Sequence, residues 1–271
     1  MSDLSAMQTF NDYEDHAEDY SKEKNQMWRI YVEKYSLLNL VSSWQGKTVL
    51  DLGCGDGVYS FEAKNLGASY VYGIDIAHSM IKLAREKANS ISGVEFAVAD
   101  CTNSTAVSDV LSDAKVNTFD IIICSYVLNY VQNTDEMTSI SRVIAHALAP
   151  DGIVIGINNN PDETSTESEL FQKYGFDKVT KPDIKVWDPV IYHIYDTMNA
   201  EQSVMTIVNF SCPWNVLQTH LSNESINYFE TCDLKVDPEF LSSNELGKHE
   251  PTFFNTLTSH QPIKPFIARR I

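Results

Sequence analysis

Val49-Leu50-Asp51-Leu52-Gly53-Cys54-Gly55-Asp56-Gly57 is the stretch on which the reading of this chain turns. A short apolar strand ends in a carboxylate, and a turn with alternating glycines opens the next segment as a helix. Glycine takes positive φ without steric cost and lets a ligand approach the backbone to contact distance. The dinucleotide fingerprint GxGxxG needs a glycine three residues after its second, but Val58 stands there, so the pattern is DxGxGxG. Asp51 would repel a pyrophosphate and suits a ligand that carries an ammonium group. A plain tight strand–helix turn is the alternative, and three alternating glycines directly behind a strand-terminal Asp speak against it.

Outward from this turn the chain alternates regularly. Strands are expected at Thr48–Leu52, Tyr70–Ile74, Val94–Ala99, Phe119–Cys124 and Ile153–Ile157. Between them, helices are expected over Gly57–Leu66, Ser79–Asn89, Ser104–Ala114 and Thr134–Leu148, the last closed by Pro150-Asp151-Gly152. Continuous apolar strands alternating with amphipathic helices mean βαβ units with a parallel sheet buried on both faces. Right-handed crossovers make that sheet doubly wound, with ligands at the carboxyl ends of its strands. The segment from about Tyr13 to Trp44 reads as helical. After Asn160 the period breaks: Val190–Tyr195 and Val204–Phe210 look like antiparallel strands, Ser222 before Glu224 looks like a helix start, and Pro265–Arg270 reads as a closing strand. The expected division is a helical cap over 1–45, a core over 46–160, an inserted antiparallel cap over 161–221 and a completion of the core sheet over 222–271.

Two further acids extend the first motif. Asp75 ends the second strand, twenty residues beyond Gly55, where a carboxylate takes the two hydroxyls of a ribose. It can equally cap the helix that begins near Ala77. Asp100 ends the third strand, where it can accept from an exocyclic adenine amine or simply hold a turn. Together, three carboxylates at the ends of three successive strands outline a nucleoside-shaped site.

Composition narrows the classes. The 271 residues are 43% hydrophobic and 21% charged, which excludes a disordered polymer. A net charge of −17 argues against nucleic acid and against anionic membrane surfaces as partners. The longest apolar runs, such as Phe119–Cys124, fall far short of the ~20 residues of a membrane span. The acidic start, with Asp3, Glu14, Asp15, Glu18 and Asp19, has the wrong charge for a signal peptide. Cys54, Cys101, Cys124, Cys212 and Cys232 are odd in number and lack CxxC spacing, so a reducing, cytoplasmic compartment is expected.

Residues 46–157 resemble a class I S-adenosylmethionine-dependent methyltransferase. DLGCGDG is similar to that family's first motif, YGIDIAHSMIKLAREK to its second and FAVADC to its adenine motif; FDIIICSYVLNYV and LAPDGIVIGI resemble its fourth- and fifth-strand regions. The resemblance implies a mostly parallel seven-stranded, Rossmann-like sheet and S-adenosylmethionine as cofactor, with S-adenosylhomocysteine as product. It implies that Asp51 and the Gly53, Cys54 and Gly55 loop hold the methionine part, and that Asp75 binds the ribose. Ile76 and Met80 then pack on the adenine, Asp100 with the Cys101 backbone reads its edge, and Ser125 joins the cofactor set. The ends of the chain, YEDHAEDYSKEKNQMWRIYVEKYSLL and GINNNP among them, are similar to small-molecule methyltransferases of the toxoflavin-synthase-like kind. That likeness implies Tyr20 and Arg29 over the methionine end, where a guanidinium suits a carboxylate. Asn129 and Tyr130 fall where the family places substrate-facing residues.

A sulfonium methyl is already activated, so the expected chemistry is in-line displacement that needs alignment, exclusion of water and at most one base. His193, in the inserted cap, is the candidate base; a half-buried strand histidine without catalytic role is the alternative. No metal is expected, because Ser125-Tyr126 and Asn158-Asn159-Asn160 are neutral where metal-dependent catechol methyltransferases place carboxylates. Tyr126, Tyr130, Trp187, Tyr192 and Trp214 suggest a flat aromatic or heterocyclic small-molecule acceptor, and the chain is expected to act as a monomer or homodimer. A nicotinamide oxidoreductase on the same sheet and a cofactor-binding protein without methyl transfer are the competing classes.

Overall fold

The computed structural model describes residue 14 and residues 26–164, 168–196, 199–243 and 246–271. Seven strands form the main sheet in the order β3-β2-β1-β4-β5-β10-β9. These are β1 (Thr48–Leu52), β2 (Tyr70–Asp75), β3 (Val94–Val98), β4 (Phe119–Ser125), β5 (Leu148–Asn159), β9 (Tyr228–Thr231) and β10 (Ile263–Arg269). β1 to β5 run parallel, whereas β10 is antiparallel to both β5 and β9. The doubly wound, mostly parallel seven-stranded sheet expected from the sequence is therefore present. Among the described residues no helix is long and apolar enough to cross a membrane.

Alternating residues of the central strands feed two separate cores. Val49, Ile121, Ile123, Ile155 and Ile157 face the N-terminal helix and the helix Val58–Asn65. Leu50, Leu52, Ile122, Cys124 and Val154 face the other way, towards the helices Thr134–Ala147 and Trp214–Asn223. Burial on both faces is why these strands read as unbroken apolar runs.

Three details depart from the sequence reading. The Pro150-Asp151-Gly152 turn does not end the preceding helix; it lies inside β5, as a bulged excursion between the pairs Phe119–Leu148 and Ile121–Ile153. Ser222 does not start a helix. It sits in the last turn of Trp214–Asn223, which begins directly after Pro213, a residue pre-organised for a helix start. That helix packs on Thr134–Ala147, where Thr138 Oγ1 and His220 Nδ1 meet at 3.2 Å, so the expected boundary at 221/222 falls within a helix of the main body.

A second, three-stranded antiparallel sheet follows β5: β6 (Phe176–Val179), β7 (Pro189–Asp196) and β8 (Asn199–Phe210). Its inner face carries Phe176, Tyr192 and Ile194, all buried. Phe176 stacks on Phe171 with ring centroids 5.3 Å apart and meets Trp28 of the N-terminal helix at 4.9 Å. This sheet closes over the carboxyl ends of β4 and β5.

Candidate active site

The glycine loop is shaped by its own bonds. Gly53, Gly55 and Gly57 have φ of +69°, +56° and +87°. A Cβ on Gly53 would stand 2.8 Å from Val127 Cβ, and one on Gly57 the same distance from Phe61 and Phe96, so glycine is required twice over. The amides of Gly53 and Cys54 both donate to Ile74 O, at 2.8 and 3.0 Å, and that of Gly57 donates to Cys54 O at 3.0 Å. Gly55 N donates to Asp75 Oδ2 at 2.8 Å. These four amides point into the protein rather than at a ligand.

The three strand-end acids converge. Asp51 is buried, and Ser60 Oγ donates to its Oδ2 at 2.6 Å. Asp75 accepts from Gly55 N through Oδ2 and from Ala77 N, at 2.9 Å, through Oδ1. It thus shapes the loop and fixes the turn that leads into the helix His78–Ala88. Asp100 Oδ1 takes both the amide and the hydroxyl of Thr102, at 2.8 and 2.7 Å. Cys101 lies among them: burial pushes its thiol up, and the Asp75, Asp100 and Asp51 carboxylates push it further against the opposing Gly53 amide. Ile76 is 43% exposed beside the buried pair Ala77 and Met80, forming an apolar shelf next to Asp75. Cys54 is a buried thiol in the loop.

Above this edge, the N-terminal helix runs π-wound over Arg29–Lys34 and α-wound over Tyr35–Leu38. Its Glu33 is 3% exposed and gathers three donors: Arg29 Nη1 at 2.9 Å, Tyr59 OH at 2.6 Å and Tyr126 OH. Burial and the Glu33 charge push the Tyr59 and Tyr126 phenols well above their ordinary range. Ser125 lies beside the Tyr59 hydroxyl at the end of β4. Glu33 went unread in the sequence, although its spacing of four from Arg29 marks an ion pair on a helix.

A pocket of about 430 Å³, its open mouth included, lies between this cluster and the inner face of the second sheet. Its floor is Arg29, Tyr126, Tyr130 and Asn159, and its roof includes Phe176, Tyr192, Ile207 and Asn209. Arg29 is held over the Trp28 ring at 4.5 Å. Asn129 is buried, and its Oδ1 accepts from Asn159 N at 3.1 Å; it positions the pocket wall from behind.

His193 is not part of this pocket. Alternation along β7 turns Tyr192 and Ile194 inward, which puts His193 on the outer face with its Nδ1 3.2 Å from Thr206 Oγ1. The sequence gives the period of a strand but not which of its faces meets the body. Trp187 and Trp214 are also elsewhere, in the core on the opposite side of the main sheet, where Trp214 packs on Phe229 and Phe266. Tyr20 lies outside the described residues. Among the described residues no group of three or more His, Cys, Asp or Glu is placed to hold a metal ion.

Residues 44–145 match the methyltransferase-domain family. The chain is 34% identical over 121 residues to the ubiquinone biosynthesis O-methyltransferase of Neisseria meningitidis serogroup C, a match covering 43% of this chain and 47% of that protein. It is 39% identical over 77 residues to the ribosomal protein L11 methyltransferase of Caldanaerobacter subterraneus, covering 26% of this chain and 25% of the other. The chain thus spans less than half the length of these curated relatives. In three dimensions it is similar to an S-adenosylmethionine-dependent methyltransferase from Mesorhizobium loti, with a TM-score of 0.53, 20% identity and coverage of 88% and 97% of the two chains. Residues 44–145 thus match a methyltransferase domain, and the fold as a whole is the one seen in these solved structures.

Proposed function

We propose that the chain transfers a methyl group from S-adenosylmethionine to a small aromatic or heterocyclic acceptor, by in-line displacement without a metal. The observation that carries this reading is the glycine loop. Four of its amides are spent inside the protein, so the loop cannot cradle phosphates as a dinucleotide loop does. With Asp51 at its start, it instead suits a cationic ligand. The nicotinamide reading loses its anchor on the same ground.

The residues present fit the cofactor. Asp51 and the Gly53–Gly55 loop would hold its methionine part, with Arg29 and Tyr20 assigned to its carboxylate end. Asp75 would take the ribose hydroxyls, and Ile76 and Met80 would flank the adenine. Asp100 and the Cys101 backbone would read its edge, and Ser125 would complete the set. Bound there, S-adenosylmethionine supplies a methyl group already activated on sulfonium. The chain's own work is to align an acceptor and keep water out.

The two matched relatives share the core stretch while their names describe different acceptors, so acceptor choice belongs to the pocket under the second sheet. Tyr126 and Tyr192 on its wall are kept neutral by burial and donate to Glu33 and to Pro262 O, so they are not bases; Tyr130 lines the pocket as an acceptor-facing residue and Asn129 supports it. An amine or an acidic hydroxyl, needing no base, is the acceptor this wall suits. The five free thiols fit a reducing, cytoplasmic setting.

The test is a screen of small acceptors for S-adenosylhomocysteine production, with mass location of the added methyl and a parallel run in excess EDTA. The expected outcome is turnover on a flat small molecule that chelation leaves unchanged. Turnover that chelation abolishes and Mg²⁺ restores would overturn the metal-free reading.

A further inference from the structure

Two carboxamides in the pocket set it apart from an ordinary hydrophobic crevice. Asn159, from the carboxyl end of β5, is 6% exposed, and neither its Oδ1 nor its Nδ2 has a hydrogen-bond partner among the described residues. Asn209, from β8 of the second sheet, is 4% exposed, and its Nδ2 likewise has none. Both line the pocket whose remaining wall is largely aromatic and aliphatic; Asn159 also borders a smaller crevice lined by Lys178 and Val190. Buried amides without partners are costly, because desolvation is not repaid. The backbone of Asn159 is nevertheless fixed from behind by Asn129 Oδ1 at 3.1 Å, which holds the residue in register while leaving its own amide to the pocket.

We propose that Asn159 and Asn209 determine acceptor specificity by gripping a neutral hydrogen-bonding edge of the acceptor, one amide from the core and one from the cap. The inference rests on the methyl-transfer reading and adds to it what the pocket recognises. A carboxamide both donates and accepts, so the pair matches a group that presents a donor and an acceptor side by side. It does not match an anion: Arg29, the cation on the wall, pairs with the buried Glu33 at 2.9 Å and is the residue assigned to the cofactor's own carboxylate. Because the two amides sit on different sheets, an acceptor bound to both also ties the cap to the core. The same geometry places the acceptor's polar edge beside the carboxyl ends of β4 and β5, and its apolar body against Phe176, Tyr192 and Ile207.

The proposal can be tested without knowing the natural acceptor. Benzamide, benzoate and toluene serve as probes of one size and three polarities, titrated by ligand-observed NMR against wild type, Asn159→Leu and Asn209→Leu in saturating S-adenosylhomocysteine. Wild type is expected to bind benzamide best. Each Leu variant should lose about tenfold of that preference over toluene, the size of a hydrogen bond left unmade in a buried site. The ligand-free Leu variants should also melt at or above the wild-type temperature, since each removes a polar group that has no partner until a ligand arrives. A wild type indifferent between benzamide and toluene, a Leu variant with unchanged preference, or Leu variants that melt well below wild type would each overturn the assignment, the last by showing that the amides serve the fold. S-adenosylhomocysteine titrated on the same samples separates the two layers: failure to bind it defeats the methyl-transfer reading, whereas normal binding with indifferent probes defeats only the specificity assignment.

Discussion

Asp75 performs two structural tasks before any ligand arrives, shaping the glycine loop through Gly55 N and fixing the turn into the helix His78–Ala88 through Ala77 N. A carboxylate so fixed is held in one orientation at the end of its strand. Asp75→Ala should weaken S-adenosylhomocysteine binding at least tenfold, because hydrogen bonds to a charged group contribute ~1.5–3 kcal/mol each. Calorimetry on a variant that keeps its far-ultraviolet circular dichroism checks this, and unchanged affinity would move the ribose elsewhere. Glu33 is the second decisive residue. Glu33→Gln removes the charge on which Arg29, Tyr59 and Tyr126 converge, and breaking a buried ion pair costs about 3–5 kcal/mol. Denaturant midpoints should fall accordingly, and a variant as stable as wild type would refute the cluster's role. The two acids differ in how openly the sequence displays them. Asp51, Asp75 and Asp100 announce themselves by standing at strand ends, whereas a glutamate on a helix reads as a solvated side chain until tertiary packing closes over it. Asn209 was equally silent, since an amide in a cap strand carries no motif.

At the scale of elements, the parallel strands were legible because burial on both faces leaves no alternation to misread. The second sheet was legible only in part. The period of β7 gave the pairing of Tyr192 with Ile194, but the choice between the inner and outer faces is made by Phe176, Trp28 and the body beneath them. β6 has four residues, too few for a periodic signal. It nevertheless carries the stitch that seats the cap: Lys178, buried, donates from Nζ to Asn160 O at 2.7 Å, Glu163 O at 2.9 Å and Pro262 O at 3.3 Å. Burial lowers its pKa to about 8 from the ordinary 10.5, against the opposing pull of Glu163 and Asp162. Below pH 8 both folded and unfolded chains hold the proton, and the cost of burying the charge is fully present. Between about 8 and 10.5 only the unfolded chain holds it, so this residue's contribution to stability improves as pH rises. The stability of wild type relative to Lys178→Met should therefore shift in favour of wild type from pH 8 to pH 10, by about 2 kcal/mol. Paired denaturant melts across that range check the slope, and a flat or opposite trend would contradict the assigned shift.

At the scale of the whole molecule, the two sheets divide the labour. The main sheet supplies an acidic, glycine-looped edge, and the second sheet roofs the space in front of it with aromatic rings and one amide. A net charge of −17 makes the body as a whole attractive to a cationic sulfonium and repellent to polyphosphates. The methyltransferase-domain match covers 44–145, while the pocket draws most of its roof from residues beyond that stretch. The edge lined by Asp51, Asp75 and Asp100 is proposed as a site for S-adenosylmethionine rather than for a dinucleotide. Isothermal titration of S-adenosylhomocysteine and of NAD into the full chain tests it most directly. The expected result is a saturable isotherm at one site per chain for S-adenosylhomocysteine and no saturable heat for NAD. Saturable binding of NAD at that edge, or none of S-adenosylhomocysteine, would contradict the account.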